Sequence, residues 1–391
     1  MTQAVMTGLG VAAGGVVGCK AFARVLSDGM PTFSQQAQHP FYASLLQEAA
    51  FEPHNRKMAR NTSRPARSAL LVAEEAMTQA ALRGSERVGL VLGGHNLTLA
   101  QIGRANHENA SSPGFVSPRH GLQVWDSHVL GVVSEALTLT GPGLSVGSHF
   151  SSGLAALSQA LLLLEGGDAD AVLCVTPVTL LSELEWNAFI NLGALREQQG
   201  YQPFGEKQAG FVYGEAACAI VLERPDARHA TALARLGSAV TLMAAHAGPE
   251  PDAAAEARVM KRALEKSGVE CSEVSYVNAH ATGTPQGDAA EASAIASVFS
   301  DCLVPPWVNA TKAITGHGLF AAGLLGVIAT VLQMRSGFLH ANPLPTRSLP
   351  GMRLVGTARE TNETRAAMCN AFGFDGLYAS AVITKDGIGD A

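Results

Sequence analysis

The sequence predicts an α/β protein whose mostly parallel sheet is covered by helices on both faces. Short apolar runs alternate with helical stretches along most of the 391 residues, the pattern of strands joined by helical crossovers. Hydrophobic residues make up 47% of the chain and charged residues 15%, enough for a large interior and unlike disordered or coiled-coil chains. The length suggests two or three domain-sized units, or two halves sharing one core.

The elements follow in order. VGLVLGG (88–94) reads as a buried strand, and WDSHVLGVVSEALTLTG (125–141) as a helix ended by glycine. GLSVG (143–147) is strand-like. SSGLAALSQALLLLEGG (151–167) is an apolar helix with a serine cap and a glycine stop, and DAVLCVTP (170–177) returns as a strand. The pattern then recurs with ACAIVLE (217–223), helix AEARVMKRALEKSG, strand VSYVNAH and helix GLLGVIATVLQM. The polar stretch RPDARHATA (224–232) marks a junction between two halves, 1–228 and 229–391, with no repeat visible between them. Gln35 to Arg67, rich in His, Pro and Arg, reads as a surface excursion.

Composition excludes several functions. The net charge is −6 with no basic stripe, so no nucleic-acid partner is expected. Cys19, Cys174, Cys218, Cys271, Cys302 and Cys369 are scattered, with no C-x-x-C pair or metal-ligand spacing. Most read as small buried hydrophobes. Neither a metal nor another cofactor is expected. The N-terminal segment lacks a basic region ahead of its apolar residues, unlike a signal peptide. The longest apolar run, Leu319 to Met334, is short for a membrane span and reads as a buried helix. A soluble, cytoplasmic protein with no membrane partner is the expectation.

Three segments place polar residues where glycine-rich turns meet apolar elements: VNAHATGTPQGDAAE (277–291), NATKAITGHGLFAAG (309–323) and CNAFGFDG (369–376). Loops at strand and helix ends are where binding and catalytic groups collect, which singles out His280 and His317 from the twelve histidines. These segments resemble the three C-terminal signatures of β-ketoacyl-acyl-carrier-protein synthases. GFVYGEAACAIVLE (210–223) is similar to that family's GEG-containing strand, and MTGLGV (6–11) to its opening strand.

The resemblance spans nearly the whole chain. It implies a thiolase-like, five-layered αβαβα fold of two similar halves with mixed, mostly parallel sheets, and an obligate dimer. It implies that His280 and His317 donate hydrogen bonds to the thioester carbonyl of a malonyl unit, that Lys312 orients and polarises them, and that Glu291 supports them. Phe374 matches the family's gating phenylalanine, whose backbone N–H normally contributes to the oxyanion hole of the acyl group. Thr282, Thr284 and Ser151 are expected around the substrate pocket. The implied partner is an acyl carrier protein bearing a phosphopantetheine-linked malonyl group.

The departure from the family pattern lies in the elbow SVGSHFSSGLAAL (145–157). The nucleophilic cysteine's position holds Phe150, which cannot form a thioester. Ser148, Ser151 and Ser152 flank it and read as turn or cap residues, and His149, beside them, is not expected to activate a serine. The resemblance assigns malonyl decarboxylation to the histidines and the lysine, which remain. The resulting enolate would take a proton and leave acetyl-carrier protein. The elbow and LSELEWNAFINLGAL (181–195) resemble synthase-like polyketide decarboxylases that lack the cysteine, in which serine is usual at the lost position. A non-catalytic chain-length-factor-like subunit, paired with an active synthase, is the competing reading, and an unusual acyltransferase a third. A homodimer follows from the first reading and a heterodimer from the second.

Overall fold

The computed structural model of the chain describes residues 4–35, 42–48, 51, 62–196, 201–205, 210–227, 230–343, 348–360 and 364–385. Much of the polar Gln35–Arg67 excursion (36–41, 49–50 and 52–61) lies outside the described residues.

Ten strands form one continuous sheet path. Their order is Trp307–Asn309, Val274–Asn278, Ala366–Phe372, Leu377–Thr384, Ala234–Met243, Ala4–Ala13, Ala216–Glu223, Ala171–Thr176, Val88–Gly93 and Gly143–Val146. Each five-strand half repeats one pattern. The first strand lies antiparallel to the last, the last antiparallel to the fourth, the fourth parallel to the second, and the second parallel to the third. The halves join through a short antiparallel contact, Ala4–Met6 against Leu236–Ala234. A repeat invisible in the residues is therefore plain in the pairing.

The sheet is mixed, as expected, but its antiparallel joints outnumber the parallel ones, which are confined to its two outer ends. Antiparallel joints arise where each half's last strand folds back beside its first. In the second half the reversal takes only the turn between Phe372 and Leu377. Apolar periodicity reports burial of a strand but not its direction.

Five layers result. Helices Ser152–Glu165 and Ala322–Ser336 pack against strands of both halves and form the middle layer. Arg64–Gln79 and Asp126–Leu137 cover the first half, and Ala253–Ser267 with Pro285–Val298 the second. Ala322–Ser336 is apolar around nearly its whole circumference, as an interior helix must be. The apolar window Leu319–Ser336 is 83% buried within the protein. The central helices approach backbone to backbone: a Cβ on Gly153 would stand 2.7 Å from the Leu324 nitrogen.

Two local expectations are corrected. The helix beginning at Asp126 stops at Thr138, a left-handed cap (φ 57°), rather than at a glycine. Of the six cysteines, Cys174, Cys218 and Cys369 are buried, while Cys19, Cys271 and Cys302 are half-buried.

Candidate active site

The strand Gly143–Val146 leads into the elbow, where His149 takes a positive φ of 47°. A non-glycine residue adopts this conformation only when its surroundings enforce it. Here the serines do so. Ser151 Oγ donates to the Ser148 carbonyl at 2.5 Å, Ser152 Oγ donates to the His149 carbonyl at 2.6 Å, and the Ser148 N–H donates to Ser152 Oγ at 2.9 Å. Ser148 Oγ pairs with Ser151 Oγ at 2.8 Å. Two expectations for Ser151 therefore change. It stands at the N-cap without capping through its side chain, and its buried hydroxyl faces the turn instead of the substrate pocket.

Three neighbouring parallel strands deliver the other groups. Val274–Asn278 ends just before His280, Trp307–Asn309 before Lys312, and Ala366–Phe372 before Phe374. Carboxyl ends of parallel strands are where α/β folds gather their sites. His317 is pinned by its backbone: its N–H donates to the Val212 carbonyl at 2.6 Å, and its carbonyl accepts from Gly214 at 3.1 Å.

The structure brings His280, His317 and Lys312 together. The two imidazoles lie 5.5 Å apart, nearly perpendicular at 85°, and Lys312 Nζ is 3.4 Å from His280 Nδ1. An ammonium can only donate, so His280 Nδ1 accepts and its Nε2 carries the proton. His317 Nδ1 accepts from the Leu319 N–H at 2.9 Å, which likewise assigns its proton to Nε2. That Nε2 is buried and has no hydrogen-bond partner among the described residues. Burial, then the Lys312 charge, holds both imidazoles well below their usual range, so both are neutral single donors at neutral pH. Burial also pulls Lys312 down to about 8, against the carboxylates of Glu291 and Asp288.

Glu291 clamps the His280 turn. Its Oε1 accepts from the His280 N–H at 2.8 Å and from Asn370 Nδ2 at 3.1 Å, and its Oε2 accepts from the Ala281 N–H at 2.7 Å. Ala281 is left-handed (φ 40°), and Tyr201 Oη donates to its carbonyl, so the turn is held from two sides.

A cavity of about 340 Å³ opens onto His280, Thr282, Thr284, Glu291, Phe374 and Phe150. Thr282 and Thr284 pair their hydroxyls at 2.9 Å, and Thr284 also caps the helix Pro285–Val298. His317 and Lys312 do not line this cavity. The Phe150 ring, buried and 4.7 Å from that of His317, lines it instead. Phe374 lines the cavity, but its backbone N–H is donated to His149 Nδ1 at 3.3 Å, so the resemblance's acyl role for that N–H meets an occupied donor. Burial lowers His149 to about 4, which keeps it neutral and able to accept this bond.

Sequence reasoning missed His149 as an acceptor, and nothing in the residue order announces it. It also missed Glu256, which lines the same cavity. The available signal was a carboxylate within the apolar stripe of its helix.

Fold and site together define a synthase-like scaffold in which the position expected for the nucleophile holds Phe150. Two family descriptions match the chain: Beta-ketoacyl synthase, N-terminal domain, over residues 2–227, and Beta-ketoacyl synthase, C-terminal domain, over 234–343. The chain belongs to the β-ketoacyl synthase family. It is 29% identical to the polyketide biosynthesis malonyl-ACP decarboxylase PksF of Bacillus subtilis, over 98% of this chain and 96% of that protein. It is also 29% identical to 3-oxoacyl-[acyl-carrier-protein] synthase 2 of Staphylococcus aureus, over 88% and 87%. Among solved structures, a β-ketoacyl synthase from Burkholderia phymatum superposes with a TM-score of 0.87 at 25% identity, over 98% of this chain and all of that one. The ishigamide ketosynthase/chain length factor gives 0.89 at 23%, over 99% and 100%, a likeness of fold.

Proposed function

We propose that this chain decarboxylates malonyl-acyl-carrier protein to acetyl-acyl-carrier protein, in polyketide or fatty-acid-type biosynthesis, without acyl transfer to a cysteine. The observation that carries this reading is a pair of neutral imidazoles, each with its proton assigned to Nε2, beside a buried ammonium, while Phe150 fills the nucleophile position. As the malonyl carboxylate leaves as carbon dioxide, its electron pair moves onto the thioester carbonyl and makes an enolate oxygen. Donors aimed at that oxygen bind the transition state better than the ground state, and each is worth roughly 10²–10³ in rate. Lys312 polarises His280 through Nδ1 and sharpens Nε2–H as a donor. With no acyl-enzyme to attack, the enolate carbon takes a proton.

The 29% identity to PksF supports the same reaction. A subunit that only shapes a partner's tunnel has no use for the His280–Lys312–His317 arrangement, which argues against the chain-length-factor reading. We further assign a homodimer, a soluble cytoplasmic setting, and a carrier protein whose pantetheine arm enters past Thr282 and Thr284. The test is incubation with malonyl-carrier protein read by intact mass. Loss of one carbon dioxide is expected, and His280→Ala is expected to abolish it. A His280→Ala variant as fast as the parent would refute these roles.

A further inference from the structure

The proposed reaction leaves one proton without a donor. His280 and His317 are occupied at the enolate oxygen, so the hydrogen that ends on the methyl carbon must come from elsewhere. The helix Ala253–Ser267 turns Val259, Met260, Ala263 and Leu264 inward, and Glu256 falls in that stripe at i−3, i−4, i−7 and i−8. Glu256 is 1% exposed, its Oε2 is buried with no hydrogen-bond partner among the described residues, and it lines the cavity that holds His280 and Phe374.

The groups around it are committed elsewhere. Glu291 is taken by the His280 turn, Asp288 accepts from Phe204 and Gly283, Asp252 caps its own helix, and the Tyr378 hydroxyl accepts from the Asp252 N–H. An ionised carboxylate so buried and unpaired is too costly to persist. Burial, followed by the charges of Glu291, Asp252 and Asp288, holds Glu256 well above the ordinary carboxyl range. It is a neutral acid facing the cavity onto which His280 and Phe374 open.

We propose that Glu256 is the proton donor to the α carbon of the enolate, a role that rests on the decarboxylase reading above. The Glu256 O–H bond breaks and leaves its electron pair on the carboxylate, the carbon–carbon π pair of the enolate forms the new C–H bond, and an oxygen lone pair restores the thioester carbonyl. Water entering the cavity then reprotonates the carboxylate. The sum is malonyl thioester plus one proton giving acetyl thioester plus carbon dioxide.

The experiment compares the parent chain with Glu256→Gln on malonyl-carrier protein in equal parts H2O and D2O, reading carbon dioxide release and the deuterium fraction of the acetyl methyl group. The Gln variant should be slower by about 10²-fold, and its deuterium fraction should shift because water replaces a carboxylic acid as donor. A merely structural role slows the reaction without moving that fraction, so an unchanged fraction overturns the assignment whatever the rate. Glu256→Met, close in volume and without an acidic proton, gives the same readout should the Gln variant fail to fold. A parent chain that releases no carbon dioxide refutes the decarboxylase reading itself, and the role of Glu256 with it.

Discussion

At the scale of single residues the site is governed by burial acting on charge. Lys312 is pulled down to about 8, so its ammonium is the form present at neutral pH and is lost as pH rises through that value. Only the protonated amine polarises His280. Decarboxylation should therefore fall as pH climbs through about 8, and Lys312→Met should be slower by roughly 10²-fold with that alkaline limb gone. A kcat/KM profile on malonyl-carrier protein checks both. Phe150 makes the second case. Phe150→Cys removes a buried ring and should cost about 3 kcal/mol of stability in a denaturant titration. It should not by itself restore acyl transfer, because the Phe374 N–H is still donated to His149. The double variant with His149→Ala should form an acyl-enzyme, seen by intact mass, to a greater extent than Phe150→Cys alone.

At the scale of elements, the middle layer sets where these residues stand. The elbow opens the helix Ser152–Glu165, whose Gly153 faces the Leu324 backbone, and the partner helix follows directly on His317 and Leu319. Gly153→Ala should push the two helices apart and cost about 1–3 kcal/mol, measurable as a lower melting temperature with reduced activity. Much of this layer was legible in the residues. The helices of the middle layer carry near-continuous apolar runs, and their ends at glycine turns place His317 and the elbow. Strand direction was not legible, since a buried run reads the same either way, and the share of antiparallel joints in the mixed sheet exceeded the expectation. The gathering of His280, His317 and Lys312 was legible only through the resemblance, because 37 residues of sequence separate the first of them from the last. Glu256 left a fainter mark, a charge where the helical period calls for an apolar side chain. The His149 contact left none, since it depends on a positive φ that three serine hydroxyls impose.

At the scale of the whole molecule, the ten-strand path ends at an edge that no other strand pairs with among the described residues. Gly143–Val146 pairs with Val88–Gly93 on one side, and most of its length, including Leu144, is exposed. An exposed edge strand presents a row of free N–H and C=O groups that folded proteins cover or blunt. Nearby in sequence, Phe115, Leu122 and Trp125 are also exposed, at 89%, 68% and 65%. Large apolar side chains are seldom left in water when they gather into a patch, and such patches serve as contact surfaces for another chain. The homodimer proposed above would cover both features, with a consequence for the site, because the edge strand runs straight into the elbow that carries Phe150. We expect native mass spectrometry to show a homodimer, and Leu144→Arg to shift it toward monomer. The monomer should lose decarboxylation together with its partner, since the elbow's strand is then held on one side only. A Leu144→Arg protein that stays dimeric places the interface elsewhere. A monomeric variant with full activity would uncouple the edge from the chemistry.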